Sequence, residues 1–289
     1  MKKQQGHMIG GLFAAVLVAI SLPGSGLAQS ADVPIPDIVE IPAGWFFQGS
    51  DGIERQYAYQ IDEQVYGHDV SRRNRWYDVE VDKWRIYLPD YFIMKTAVTN
   101  DQYAAFIGDT GRDAPDISEE DWESLGLIYG YDATRPFAWK NGEPPMGKGN
   151  HPVVLVSWRD AHDYAKWLSE KTGKKWRLPE EIYWEKAVRG PDGIFYPWGN
   201  IYDPLQLNSA DRGPFDTVPV GQFEPGPYGL YDGAGQVFEW TATSSQAGYR
   251  IVKGGSWDDR GCGVCRPAAR HGRPEHMQHI LIGFRLMYE

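Results

Sequence analysis

The chain has few cysteines and no excess of basic residues, and each absence excludes a class of protein. Only Cys262 and Cys265 are cysteines among its 289 residues, so a disulfide scaffold is excluded and a hydrophobic core must carry the stability. The formal net charge is -10, so the basic stripe that phosphate binding requires is missing. We therefore expect no nucleic-acid partner.

A long hydrophobic run is also missing at the N-terminus. Lys2 and Lys3 precede an apolar run at 11–22, followed by small residues at 26–28. A membrane-spanning helix needs about 20 apolar residues, so this pattern predicts a cleaved signal peptide over 1–28, with an uncleaved anchor as the alternative. Its removal takes away two lysines and no acid and changes the net charge from -10 to -12. We expect an exported protein without membrane contact after cleavage.

Aromatic residues are abundant, and so are glycine and proline. The 12 Trp, 17 Tyr and 11 Phe supply a core, whereas 33 Gly and 20 Pro favour a loop-rich fold of short elements. We find no internal repeat and no clean linker. The sequence therefore predicts a lead-in at 29–40 and a single domain at 41–289.

Local patterns predict several elements of this domain. Residues 41–51 are typical of a strand that enters a turn, 88–107 of a strand followed by a helix, and 153–158 is a candidate buried strand. Three helix starts follow, at Thr99 with Gln102 as a capping box, at Ser157 with Asp160, and near Pro179 in a helix that ends before Gly190. Turn signals predict a long loop region over 107–150, and the charged, aromatic segment 54–83 has no assigned structure.

Eight motifs occur in a fixed order along the chain. They are PAGWFFQGS, YFIMKTAVTNDQYAAF, HPVVLVSWRDAHDYAKWL, WRLPEEIYWEKAVRG, YPWGN, VPVGQFEPGPYGLYD, GGSW and GFR, and LYDGAGQVFEW at 230–240 is the most informative stretch. Together they resemble the formylglycine-generating, or sulfatase-modifying-factor, family over most of 41–289. The resemblance implies a compact, loop-rich α+β fold related to C-type lectin-like domains.

The cysteines depart from the family's pattern. Formylglycine-generating enzymes oxidise a substrate cysteine with two cysteines that hold Cu(I), in the pattern GGSYxCxxxxC; soft thiolates favour that ion. Here GGSW is followed by Asp258 and Asp259, and counting back from Arg270 matches Cys262 to the second family cysteine. Copper is therefore an open question. The Cys262–Cys265 pair itself is interpreted as a structural disulfide or inert thiols, a redox pair, or metal ligands with His271, His276 and His279.

The resemblance also implies a calcium site. At the family's ligand positions stand Asp232, Gly235, Val237 and Glu239, the glycine and valine contributing main-chain oxygens. Ca²⁺ takes carboxylate and carbonyl oxygens in flexible geometry. The alternative is a turn held by hydrogen bonds alone.

The family places the segment 266–285 beside its active groove. This resemblance makes His271 the candidate base, Arg270 the candidate substrate anchor, and Ser256 and Trp257 candidate residues of the groove, with Cys262 and Cys265 as further candidates. The alternative for the segment is a solvated basic loop.

Three functions follow as expectations. An exported family member that lacks the family's cysteine pair and carries the 54–83 insertion resembles the periplasmic branch that matures the pyoverdine siderophore chromophore. This resemblance implies an oxidoreductase with a peptide or siderophore-type substrate. The second is a non-catalytic peptide- or sugar-binding or structural module of the same fold. The third is formylglycine generation on sulfatase-type peptides.

Overall fold

A computed structural model describes Met1 and residues 33–289, and residues 33–289 form one compact unit. The predicted signal peptide lies outside the described residues, apart from Met1. None of the helices within 33–289 is long and apolar enough to cross a bilayer. The first strand begins at Ile38, three residues before the predicted domain start.

Short helices and strands alternate with long irregular segments, as a loop-rich α+β fold requires. The helices are α1 Gly52–Tyr66, α2 Val70–Arg73, α3 Asn100–Thr110, α4 Glu119–Ser124, α5 Trp158–Thr172 and α6 Glu181–Arg189, with a 3₁₀ turn at Tyr131–Thr134. The strands are β1 Ile38–Ile41, β2 Gly44–Gln48, β3 Trp84–Leu88, β4 Tyr91–Met94, β5 Phe238–Gln246, β6 Tyr249–Lys253, β7 His271–Pro274, β8 Ile282–Gly283 and β9 Met287–Tyr288. The predicted fold class is confirmed.

The strands form three small sheets. Their orders are β1-β4-β9, β2-β3 and β7-β6-β5-β8, and all pairs are antiparallel except β5 with β8. The four-stranded sheet brings His271, at the start of β7, opposite Val252 of β6. This sheet, the segment that follows β6 and the helices of the insertion together surround the candidate site.

The predicted starts of α3 and α5 are confirmed by their hydrogen bonds. Thr99 caps α3 and Ser157 caps α5, each in a reciprocal capping box with the residue three positions on. Helix α6 begins after Glu180, so Pro179 lies just outside the first turn, and Gly190 follows its last residue. The insertion is also helical, because Asp51 caps α1 by accepting hydrogen bonds from the N–H groups of Ile53 and Glu54.

Two sequence predictions were wrong. Residues 153–156 are buried but not a strand, because Leu155 adopts a left-handed φ of 58° and the chain bonds to separate partners, Val98 and His279. The region 107–150 is not all loop. Helix α4 forms there because Ser118 caps it and Trp122 supplies one buried aromatic anchor.

Candidate functional site

A cavity of about 580 Å³ lies between the insertion and the segment 258–273. Helix α1 and the residues after α2 form one wall, and β7 with the residues after GGSW forms the other. Its lining includes the predicted residues Arg270 and His271, and also Asp258, Asp259 and Arg273. The previously unassigned 54–83 insertion is therefore a wall of the candidate site.

The insertion wall is aromatic. Tyr66, Trp76 and Tyr77 line the cavity, and Trp76 keeps 40% of its surface exposed. Burial raises the pKa of Tyr66 to about 12, so its hydroxyl stays protonated at neutral pH. Flat aromatic walls of this kind suit a planar ligand.

Two guanidinium groups of the cavity have no carboxylate partner within the described residues, those of Arg260 and Arg273. Burial lowers the pKa of Arg273, although a guanidinium keeps its charge at neutral pH. An arginine without an ion pair is available to a carboxylate, phenolate or other anionic oxygen of a ligand.

The GGSW segment contributes two carboxyl groups that the sequence analysis did not select. Asp258 and Asp259 both line the cavity, and the hydroxyl of the predicted residue Ser256 lies within hydrogen-bond distance of each, while the side chain of Ser256 itself is fully buried. The spacing of the family's cysteine pattern could have identified Asp259. Counting on from Ser256, Asp259 stands where GGSYxCxxxxC has its first cysteine.

Asp258 also faces a second, smaller cavity of about 270 Å³. This cavity is mainly apolar, with Leu127, Ile128 and Met277 among its lining residues. Phe238, Arg273 and Leu281 line both cavities, as Asp258 does. Asp258 therefore lies at the junction between the two cavities, with Asp259 beside it in the larger one.

His271 is placed in the cavity wall but is a poor base. Its Nε2 is enclosed without a hydrogen-bond partner, and its ring packs edge-on against Phe238 at 5.6 Å between centroids. Burial, followed by the charges of Arg273 and Lys253, lowers its pKa to about 3. The imidazole is therefore neutral at physiological pH and holds protons too weakly for the predicted role.

Arg270 is less free than predicted. Its guanidinium pairs with both carboxylate oxygens of Glu181, at 3.0 and 2.8 Å. It therefore lines the cavity as half of an ion pair. Arg266, four residues earlier, is not part of a solvated basic loop, because it is fully buried between Glu54 and Glu80.

Trp257 is not on the groove wall. Only 3% of its surface is exposed, and its ring stacks on Phe137 and meets Phe215 edge-on, at 5.8 and 5.0 Å between centroids. Trp257 is a core residue because its large apolar ring stabilises more by burial than by exposure.

Cys262 and Cys265 form a disulfide, with 4.7 Å between their Cα atoms, and both are fully buried. The two sulfurs are therefore joined to each other and are not free thiols in this structure. His271, His276 and His279 line three different cavities, and no group of three or more His, Cys, Asp or Glu within 33–289 is placed to hold a metal ion. A copper ion held by two thiolates does not fit these residues, since neither sulfur is a thiolate.

The residues at the predicted calcium site are only partly available. Both oxygens of Glu239 accept hydrogen bonds from Arg285 at 2.7 Å, and one also accepts from Trp184. Asp232 accepts one hydrogen bond from Gly221, and its Oδ1 is buried without a partner. Burial raises the pKa of Asp232 to about 6. An enclosed, unpartnered carboxylate oxygen is a group that a bound cation would satisfy.

Another cavity, of about 790 Å³, lies along 111–118 and the start of α5. None of the predicted catalytic residues lines it. One of its acids, Asp160, is already engaged, since it pairs with Arg112 and forms the capping box of α5 with Ser157. We therefore place the candidate site in the 580 Å³ cavity.

Comparisons with known proteins agree with the motifs. The formylglycine-generating enzyme of Streptomyces coelicolor is 31% identical over 260 residues, covering 72% of this chain and 81% of the relative. The inactive Cα-formylglycine-generating enzyme 2 of Bos taurus is 42% identical over 162 residues, covering 50% of this chain and 52% of the relative. Both active and inactive proteins are therefore among the relatives of this chain.

Two solved structures share the fold. PvdO from Pseudomonas aeruginosa superposes with a TM-score of 0.66 at 24% identity, covering 90% of this chain and 96% of PvdO. CarF superposes with a TM-score of 0.60 at 24% identity, covering 88% and 98%. The sequence matches the sulfatase-modifying factor enzyme 1-like domain over residues 24–289. The chain therefore belongs to the formylglycine-generating, sulfatase-modifying-factor family.

Proposed function

We propose that the chain is an exported, periplasmic oxidoreductase that removes two hydrogens from the reduced chromophore of a pyoverdine-type peptide siderophore. The observation that carries the proposal is the make-up of the 580 Å³ cavity. Counted on from Ser256, Asp259 stands at the position of the family's first cysteine, and the two cysteines of the chain are joined in a buried disulfide. By this count the cavity offers a carboxylate at one position where the family has a thiol.

The cavity suits an aromatic ligand that carries oxygen substituents. Tyr66 and Trp76 provide flat walls for a planar ring. Arg260 and Arg273 provide donors for anionic oxygens, and the carboxyl pair provides acceptors for hydroxyl or N–H groups. The resemblance to the pyoverdine-maturation branch and the fold shared with PvdO support this substrate class.

The reaction balances with dioxygen as the acceptor. The reduced chromophore loses two electrons and two protons, and dioxygen takes up both to give hydrogen peroxide. The protein's part is to bind the ring, exclude water and accept a proton from the ligand. This assignment uses neither copper nor the cysteines.

The two alternative functions require different features of the structure. Formylglycine generation through copper requires two free thiolates, which the disulfide removes. A binding module requires only a surface, and the exposed pair of Trp45 and Tyr87 on the β2-β3 sheet, 5.7 Å between centroids, favours this as the second candidate. Turnover of a bound ligand separates the two.

The test is turnover by the purified protein. Incubated in air with the reduced siderophore peptide, the chain is expected to yield a product two hydrogens lighter and one equivalent of peroxide. The same incubation without oxygen is expected to leave the peptide unchanged. Binding of the peptide with no change of mass in air would contradict the proposal and support the binding module.

We also propose that calcium binds at the turn 232–239, with Asp232 as its carboxylate ligand and the main-chain oxygens of Gly235 and Val237 beside it. Glu239 stays paired with Arg285. When bound, the ion would neutralise Asp232 and stiffen the turn, and it takes no part in the chemistry. The support is the enclosed, unpartnered Oδ1 of Asp232.

Calcium is therefore expected to stabilise the folded chain. At a free concentration 100-fold above Kd, the free energy of unfolding should rise by about 2.7 kcal/mol over the value in chelator. Asp232→Asn should abolish the difference, whereas Asp90→Asn, an exposed acid between β3 and β4, should retain it. Denaturant unfolding with and without calcium measures this, and equal curves for the unaltered chain would contradict the site.

A further inference from the structure

The hydroxyl of Ser256 bridges two carboxyl groups. Its Oγ lies 2.7 Å from Oδ1 of Asp258 and 2.8 Å from Oδ2 of Asp259. The other contacts of the pair are donors that bring no positive charge. Tyr129 donates its hydroxyl to Asp258, and the backbone N–H of Ser256 donates to Asp259.

The two contacts of the Ser256 hydroxyl require a second proton. A serine hydroxyl has one hydrogen to donate, so it cannot donate to both carboxylates at once. If both carboxyl groups were ionised, one of the two contacts would place a lone pair against a charged oxygen with no proton between them. A proton on one carboxyl group completes both contacts, because the protonated group then donates to the serine oxygen.

The surroundings also favour one proton on the pair. No Lys, Arg or His within 33–289 forms an ion pair with Asp258 or Asp259. The other titratable groups facing Asp259 are Asp62 and Tyr66 of α1, Tyr129, and Arg273 of β7. Burial, followed by the charge of Asp258, raises the pKa of Asp259 to about 7, and burial raises that of Asp258.

The pair is open to a ligand. Both aspartates line the 580 Å³ cavity, and Asp258 also lines the apolar cavity beside it. His271 lines the same cavity with an enclosed, unpartnered Nε2, a polar atom for which the protein supplies no partner. A ligand that fills the cavity would have the proton-sharing acid pair in its walls, next to the ring of His271.

We propose that Asp259 is the acid–base group of this cavity, sharing one proton with Asp258 and exchanging it with a hydroxyl or N–H group of the ligand. Ser256 is a positioning residue that holds the two carboxyl groups together. In the forward direction, an O–H or N–H bond of the ligand breaks, the proton forms a new O–H bond on Asp259, and the electron pair stays on the ligand for transfer to dioxygen. The proposal rests on the proposed oxidation and names its proton acceptor.

Infrared titration of the ligand-free protein tests the shared proton. The spectrum of the unaltered chain minus that of Asp259→Asn should show one protonated carboxyl band that disappears with a midpoint near pH 7. In Asp258→Asn the midpoint should fall, because the neighbouring negative charge is gone. Asp90→Asn is the matched control and should leave the band unchanged. Absence of any band specific to Asp259 above pH 6 would overturn the shared proton.

Kinetics tests the exchange with the ligand. The base must be ionised, so kcat/KM for the reduced siderophore peptide should rise with pH through about 7 and then level. Asp259→Asn should lower kcat by about 100-fold or more at unchanged unfolding temperature, which is the range for loss of a general base. Asp258→Asn should move the rise in kcat/KM to lower pH, which loss of a merely structural contact would not do.

The outcomes separate the two proposals. An unaltered kcat and pH profile in Asp259→Asn would overturn the acid–base role while leaving the oxidation in place. No turnover by the unaltered chain would overturn the oxidation and with it the catalytic role, and the infrared titration would still decide whether the pair holds a proton.

Discussion

Arg266→Met is expected to lower the free energy of unfolding by about 3–5 kcal/mol, the cost of leaving buried charges without their partner. Arg266 is fully buried and pairs with Glu54 of the insertion and with Glu80, both buried. Glu54 also pairs with Arg189 of α6, which is itself fully buried. Removing Arg266 therefore leaves Glu80 without its ion-pair partner, and Glu54 with Arg189 alone, at the place where the insertion is attached to the core.

Urea unfolding measures this effect, and an exposed pair provides the control. Arg73 pairs with Asp69 on the surface of α2, with side-chain exposures of 66% and 56%, so Arg73→Met should cost less than about 1 kcal/mol. Adding Glu80→Gln to Arg266→Met should recover part of the loss, because one stranded charge disappears. A loss for Arg266→Met no larger than for Arg73→Met would contradict the account of the insertion.

Gly255→Ala is expected to lower the free energy of unfolding by about 2–5 kcal/mol, combining backbone strain with overpacking. Gly255, the second glycine of GGSW, has a φ of 72°, and a Cβ there would lie 2.5 Å from the Sγ of Cys265. The turn that positions Ser256 and its two carboxyl partners is thus packed directly on the disulfide. Its glycine is required twice, for the left-handed conformation and for the close approach.

Gly248→Ala is the matched control for the close approach. Gly248 has a φ of 75°, but a Cβ there would meet nothing within 4 Å, so only the strain of about 1–2 kcal/mol remains. Thermal and urea unfolding of both variants should therefore rank Gly255→Ala below Gly248→Ala. Equal stabilities would show that the disulfide does not constrain this turn.

Local signals along the chain predicted those parts of the fold that depend on neighbouring residues. The capping residues Thr99 and Ser157 identify α3 and α5, because the hydrogen bonds that start a helix are made within four residues. The insertion was not predicted, although Asp51 is a local cap of its helix α1; the ion pairs of Glu54 that attach this helix to the rest of the chain reach residues 135 and 212 positions away. Leu155 was predicted in a strand because apolar residues in sequence do not reveal a left-handed φ.

The sequence predicted which segment forms the candidate site but not what its residues do. The motif order located the segment 254–285, and Arg270, His271 and Ser256 all lie in or beside the cavity. The roles were not predictable, because the pKa of His271 depends on its burial and on Arg273 and Lys253. Asp258 and Asp259 were overlooked because their chemistry arises from sharing one serine hydroxyl, a three-dimensional relation.

The measurement that tests the central claim most directly is a mass spectrum of the culture supernatant of an iron-starved, siderophore-producing strain that lacks this gene. The account predicts that a peptide siderophore two hydrogens heavier accumulates, and that the unaltered gene, but not one encoding Asp259→Asn, restores the oxidised form. A siderophore profile identical with and without the gene would contradict oxidative maturation.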